Sequence, residues 1–227
     1  MKIRALHPWD VDYRTAADIQ RDLRGRLILT GTHPPFELVA GADVSYNRGD
    51  DVFYASVVVM NIHTGEIIET AHHHGRVTFP YIPGLLSFRE GPVVLAAFEK
   101  LTATPDAVIF DGQGVAHPRG LGLAAHLGLI IDLPSAGCAK SRLVGEHGPV
   151  DREKGSSTPL MYEDRQVGVV LRSRTGVKPV YVSPGHRLDC SGAENLVLSA
   201  VGRYRLPEPT RHAHTRVNTL RRELSEL

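Results

Sequence analysis

Three acids stand where an acid is costly. Asp43 interrupts the apolar run L-V-A-G-A-D-V-S-Y (38–46), Asp111 ends the run A-V-I-F (107–110), and Glu90 falls early in a helical pattern over 85–101. An ionised carboxylate on an apolar strand is expensive to bury unless it is paired or bound to a cation. If the strand of Asp43 pairs with the strand of Asp111, the two acids lie side by side. Without a cation they repel and one pKa rises. With Mg²⁺ or Mn²⁺ they become ligands, because hard divalent cations take oxygen donors and keep several waters. Glu90 can supply a third oxygen. Each acid also has a plainer reading: Asp43 at a bulge, Glu90 as a helix N-terminal acid, Asp111 as the first residue of a β-turn. The three together favour a site. Lys140, in G-C-A-K-S-R (137–142), can neutralise a phosphate beside such a site, and His117 and His214 are candidate phosphate or water partners.

The elements that must position these residues follow from periodicity. Asp12–Arg24 predicts an amphipathic helix stopped at Gly25, and Leu27–Leu29 is a short apolar run before a turn-rich loop over 30–35. Leu38–Tyr46, Val52–Ile62 and Glu66–Val77 predict an antiparallel meander. Phe79–Gly84 is a proline-stiffened loop, and the helix of 85–101 contains Pro92, which implies a kink or restart. Ala107–Asp111 is a fourth strand, followed by the turn D-G-Q-G, a His-Pro-Arg corner, a helix over 121–127 and a fifth strand over Leu129–Leu133. A strand ending in an acid, a glycine turn and a helix is how an open α/β sheet presents a carboxylate. Residues 145–158 predict a loop, and 167–172 with 179–183 a pair of strands joined across Thr175-Gly176. A helix over 191–204 takes Ser191 as N-cap, Pro207–Pro209 is a break, and a basic helix covers 210–226. No repeat, low-complexity tract or long linker divides the chain, so 1–227 is expected to be one mixed-sheet α/β domain.

Composition narrows the class. A chain that is 42% hydrophobic and 22% charged has enough apolar material for a core, and a net charge of +1 says nothing about partners. Two cysteines, Cys138 and Cys190, form no C-x-x-C pair and imply no disulfide framework. The first residues lack the apolar stretch of a signal peptide, and no run reaches the ~18 apolar residues of a membrane span, so a soluble cytoplasmic protein without membrane contact is expected. The run His72-His73-His74 offers a metal site only through His72 and His74, since neighbours on a strand point to opposite faces; a solvent-facing strand end is the favoured reading.

At these residues the chain resembles the endonuclease V family of deoxyinosine-directed nucleases. The resemblance rests on V-A-G-A-D-V-S-Y (39–46), P-Y-I-P-G-L-L-S-F-R-E (80–90), D-G-Q-G-V-A-H-P-R-G-L-G-L-A-A-H-L-G (111–128), G-C-A-K-S-R-L-V-G (137–145) and S-P-G-H-R (183–187). It departs at Gly120, where many relatives carry a second basic residue, and at Leu188–Cys190. The resemblance implies a ribonuclease H-like mixed sheet flanked by helices. It implies Asp43, Asp111 and Glu90 as the Mg²⁺-binding (or Mn²⁺-binding) acids, Lys140 at the scissile region, and His117 and His214 as active-site partners. Tyr81, Ile82, Pro83 and Gly84 correspond to a strand-separating wedge, with Leu86, Gly112 and Gly137 among the DNA-binding positions. The implied activity is metal-dependent hydrolysis, by water, of the second phosphodiester bond 3′ to deoxyinosine, leaving 3′-hydroxyl and 5′-phosphate ends in DNA repair. A monomer acting on inosine-containing DNA is expected.

The residues support that reading physically. Two prolines stiffen the wedge loop, so ordering it on DNA costs little. Tyr81 and Ile82 can fill the gap left by an extruded base. A lesion that pairs poorly is easier to extrude. Gly84, Gly112 and Gly137 would let backbone approach the base closely. Arg203, Arg205, Arg211, Arg216, Arg221 and Arg222 form a basic C-terminal stripe suited to phosphates. Two alternatives remain open. One is a nuclease directed at inosine in RNA or at a nucleic-acid structure, since the 2′-hydroxyl decides. The other is a non-catalytic binder, which should have lost a metal ligand.

Overall fold

In a computed structural model, residues 1–31 and 35–225 are described. They form an eight-stranded mixed sheet with helices on both faces. The elements are α1 (Tyr13–Arg24), β1 (Leu38–Tyr46), β2 (Val52–Asn61), β3 (Ile67–Arg76), α2 (Leu86–Glu99), β4 (Ala107–Phe110), α3 (Leu123–Ile131), β5 (Ser135–Ala139), β6 (Ser157–Tyr162), β7 (Arg165–Leu171), β8 (Val180–His186), α4 (Cys190–Ser199) and α5 (Glu208–Ser225). The strand order is β3-β2-β1-β4-β5-β8-β7-β6. β1, β2 and β3 are the expected meander, while β4 runs parallel to both β1 and β5. This is the α/β, ribonuclease H-like architecture.

Alternation along the central strands divides the molecule into two layers. Ala40, Ala42, Val108 and Phe110 belong to the core beneath α2 and α3, with Val94, Phe98, Leu127 and Ile130. Val39, Ala107 and Ile109 face the other way, into the core under α4 with Leu196 and Val197. α5 packs across β1 and β2 on that second face. By the two-residue period of a strand, Asp43 and Asp111 point toward the α5 side.

The departures from expectation have local causes. The run Leu129–Leu133 is not a strand: it is the end of α3 and the turn after it. Every residue of α3 is buried, so the helix has no polar face to show a 3.6-residue period, and Ile130-Ile131 reads as β. The strand that follows, S-A-G-C-A, is made of small residues with little β propensity, though all are buried. β6 lies inside and beyond the expected loop; it is an edge strand, where Pro159 is tolerated. Asp189, not Ser191, caps α4, accepting from Gly192 N–H at 2.6 Å, and the helix ends at Ser199. Pro209 opens α5 instead of breaking the chain before it, as proline does in a first helical turn. α2 continues through Pro92 without a restart. The expected end of the last helix at 226, and part of the loop over 30–35, lie outside the described residues.

Both thiols are free, Cys138 buried and Cys190 partly so. Among the described residues no helix is long and apolar enough to cross a membrane.

Candidate active site

Parallel pairing of β1 with β4 runs from Val39 opposite Ala107 to Ala42 opposite Phe110. One step further sets Asp43 beside Asp111, at the carboxyl end of β4. Each carboxylate has a basic partner from another element. Lys140, just past β5, forms an ion pair with Asp111. His214, in the second turn of α5, lies with Nδ1 2.6 Å from Asp43 Oδ2. Burial, and then the Asp111 charge, raise the Asp43 pKa, and the His214 contact partly offsets them. Glu90 sits in α2, close enough for both aspartates to act on it. Loss of water first, then the charges of Asp43 and Asp111, push its carboxyl up to about 8. Three acids therefore share a region that lacks one positive charge for each of them.

α5 is pinned to β1 by a ladder of polar contacts. Asn218 donates through Nδ2 to His214 Nε2 at 3.2 Å, so His214 keeps its proton on Nδ1, facing Asp43. Ser45 Oγ donates to Asn218 Oδ1 at 2.9 Å, and Arg221 Nε donates to Ser45 Oγ at 2.8 Å. Arg221 also reaches Asn47. Residues 214, 218 and 221 are one helical face; Asp43 and Ser45 are alternate residues of β1, and Asn47 follows just past its end. The sequence carried that spacing, but nothing in it said that the last helix lies on the first strand.

A pocket of about 370 Å³ opens next to the acids. Tyr81, Ile82, Pro83, Gly84 and Leu86 form one wall, Asp111, Gly112 and Gln113 another, and Lys140, Ser141, Arg142 and Leu143 face them. The wedge segment is a tight turn: Leu85 N–H donates to Ile82 O at 2.9 Å, and Gly84 has φ +79. Proline second and glycine third is the type II arrangement, which only glycine adopts without strain at that φ. Tyr81 projects from it, 66% exposed.

Two of the expected positions have structural contacts of their own. Gly137 stands outside the pocket. A Cβ there would lie 2.5 Å from Gly112 O and 2.6 Å from Gly114 N, so the missing side chain lets the D-G-Q-G turn rest on β5. His117 is buried at the edge of the pocket beneath Gly84, and takes no part in the acids' own hydrogen bonds. Its Nδ1 accepts from Arg119 N–H and its Nε2 donates to Gly84 O, a neutral ring by geometry. Burial, and then Arg119, lower its pKa to about 4.

The arginine stripe is also less uniform than it reads. Arg205 is tied to the carbonyls of Lys140 and Pro179, Arg221 to Ser45, and Arg211 to Glu208, while Arg203, Arg216 and Arg222 are exposed.

Among the described residues no group of three or more His, Cys, Asp or Glu side chains is arranged to enclose a metal ion. This applies to the histidines of β3 as well as to the acids. The acid cluster suits a different kind of site. Mg²⁺ is held by one or two carboxylates and completes its shell with water and phosphate oxygens, so Asp43 and Asp111 fit it as a pair.

Nearly the whole chain is similar to proteins of one family. A family model described as Endonuclease V matches residues 21–215. The chain is 50% identical to Endonuclease V of Myxococcus xanthus over 218 residues, which span 94% of this chain and 92% of that one. The crystal structure of the Endonuclease V of Streptomyces avermitilis superposes with a TM-score of 0.91 at 40% identity, covering 99% of this chain and 100% of that one. Endonuclease V of Ciona intestinalis, crystallised with a 24mer DNA containing an inosine followed by a ribo-adenosine, shares the fold at TM-score 0.82 and 23% identity, over 94% of this chain and 100% of that one.

Proposed function

The chain belongs to the endonuclease V family, and on that premise we propose that it is an inosine-directed endonuclease of DNA repair that extrudes the damaged base and hydrolyses the second phosphodiester bond to its 3′ side, leaving 3′-hydroxyl and 5′-phosphate ends. One observation carries this reading: the wedge-walled pocket and the acid pair share Asp111, which lines the pocket and pairs with Lys140. A base held in the pocket and a phosphate held at the acids are then fixed relative to each other by one strand end, which suits a cut at a constant offset. The ligand of the Ciona protein, DNA with an inosine, suits such a pocket.

The residues divide the work. Tyr81 and Ile82 occupy the gap an extruded base leaves in the stack, and the type II turn keeps the ordering entropy of that insertion small. Gly112 lets the turn backbone come close to the base edge, and Leu86 offers an apolar wall. Asp43 and Asp111 are the cation ligands, with Glu90 as a third oxygen beside them. Bound there, Mg²⁺ supplies the positive charge that polarises the scissile phosphate and its attacking water. His214 holds Asp43 in one orientation through Nδ1–H. Lys140, which pairs with Asp111, would lie beside a phosphate held there and could turn its ammonium group to it.

The test is a nicking assay on a strand with one inosine, with and without Mg²⁺, and with the cut mapped. Cutting one nucleotide beyond the inosine's 3′ neighbour bond, only with the cation, is expected. Matched RNA and DNA strands are run together, and preferential cleavage of RNA would overturn the DNA-repair assignment. Binding of inosine DNA without any nicking in Mg²⁺ would overturn the enzyme.

A further inference from the structure

The carbonyl oxygen of Gly84 receives three side-chain donors. Gly84 O accepts from Gln20 Nε2 at 3.0 Å, from His117 Nε2 at 3.0 Å and from the Arg119 guanidinium at 2.6 Å. A carbonyl has two lone pairs and is satisfied by one or two donors. The excess lies on the third residue of the wedge turn, immediately before α2. Gln20 is the hub. It is 1% exposed, comes from α1, and also donates to Leu121 O at 3.0 Å while its Oε1 accepts from Arg119 Nε. Both amide atoms are used, so the side chain has no freedom to turn. α1, the corner after the D-G-Q-G turn and the wedge are thereby joined in one buried network.

We infer that Gln20 is a positioning residue for strand opening: it locks the Gly84 peptide, and so holds Tyr81 and Ile82 ready to enter the duplex. This rests on the proposed inosine-directed activity. The physical argument is entropic. A loop that inserts into DNA must be fixed in one conformation, and each residue fixed on binding costs conformational entropy unless the protein has fixed it already. Two prolines restrict the loop from within, and the clamp restricts it from outside. Glu90 lies six residues after Gly84 on the following helix, so the clamp has a second possible effect, on the acids, and the test must separate the two.

Single-stranded DNA provides the separation, since its bases need no unpairing and no gap has to be filled. Gln20→Met keeps the volume and removes both donors; Gln20→Glu keeps the acceptor for Arg119 and removes the donors. Whichever variant melts closer to the parent is used. On a duplex with one inosine, kcat/KM is expected to fall about tenfold, as for a lost buried hydrogen bond, while the same strand alone is cut within about twofold of the parent rate. In a Tyr81→Ala background the same substitution should add little, because the clamp acts through that loop. A 2-aminopurine beside the inosine, read in EDTA so that no cutting intervenes, should brighten on binding the parent and less on binding the variant. Equal losses on duplex and single strand, no loss on either, or additive losses with Tyr81→Ala would overturn the inference. If the parent itself nicked undamaged and inosine strands alike, the inosine reading would fall instead, and the clamp would be judged by the fluorescence alone.

Discussion

Asp43, Glu90 and Asp111 crowd three carboxyl groups into a region served by Lys140 and His214, and one part of the pH dependence of the protein follows from that imbalance. The Glu90 carboxyl is raised from 4.5 to about 8. Between those values the folded chain holds a proton here that the unfolded chain has released, so the contribution of Glu90 to stability falls as pH rises through that window and levels off above it. Asp43 shifts in the same direction. In EDTA the melting temperature of the parent relative to Glu90→Gln should fall between about pH 4.5 and about 8, a difference that removes the opposing contribution of buried histidines such as His117; a difference that is flat or rising would contradict it. For catalysis, Asp43→Ala or Asp111→Ala should abolish nicking while leaving much of the binding to inosine DNA. Retained nicking in either variant, measured beside fluorescence anisotropy for binding, would refute the cation assignment. Tyr81→Ala should weaken the preference for inosine over undamaged DNA more than it slows the chemistry, read as the ratio of kcat/KM on the two strands.

The elements explain why those residues meet. β1 and β4 are parallel neighbours, which sets the two aspartates side by side, and α5 crosses β1 with its His214–Asn218–Arg221 face down. Asn218 fixes the proton of His214 on the side of Asp43, so Asn218→Leu should lower kcat about tenfold with little change in KM, a loss of roughly 1.4 kcal/mol. An effect on KM alone would show that the ladder holds DNA and not the acid. β5 has a different task. Gly137→Ala would place a methyl against the backbone of the D-G-Q-G turn at 2.5 Å. Backbone cannot step aside as a side chain does, so the variant should lose about 1–3 kcal/mol in urea unfolding and also lose activity by displacing Asp111. The strand holding Gly137 was the element least visible in the sequence, because five small buried residues have neither alternation nor β propensity. The end of α3 was obscured for another reason, the helix being buried on all sides and its last residues, Ile130 and Ile131, β-branched.

At the scale of the whole molecule, a cation that binds the native acids and not the unfolded chain must stabilise the fold. Added Mg²⁺ should therefore raise the melting temperature, most strongly at alkaline pH where the acids are ionised, and Asp111→Ala should remove the effect. The two faces of the sheet are also divided in use. The face under α2 and α3 supplies the wedge, Glu90 and the pocket, while the α5 face supplies His214 and orients Asp43. The site forms where they meet, at the carboxyl ends of β1 and β4.

By itself the sequence determined that an acid interrupts β1, that another ends β4, that a third opens a helix, and that a rigid proline-glycine turn precedes that helix. These are local facts, set by hydrophobic period and by the backbone angles that proline and glycine allow. Their resemblance to one family's motifs determined the family. Only the tertiary structure decided that His214 meets Asp43 across 171 positions, that His117 bonds to Gly84 O, that Gly137 lets the D-G-Q-G turn rest on β5, and that Gln20 closes on Gly84. Those contacts join residues far apart in the chain. They arise from how the helices settle on a twisted sheet, which no spacing along the chain records.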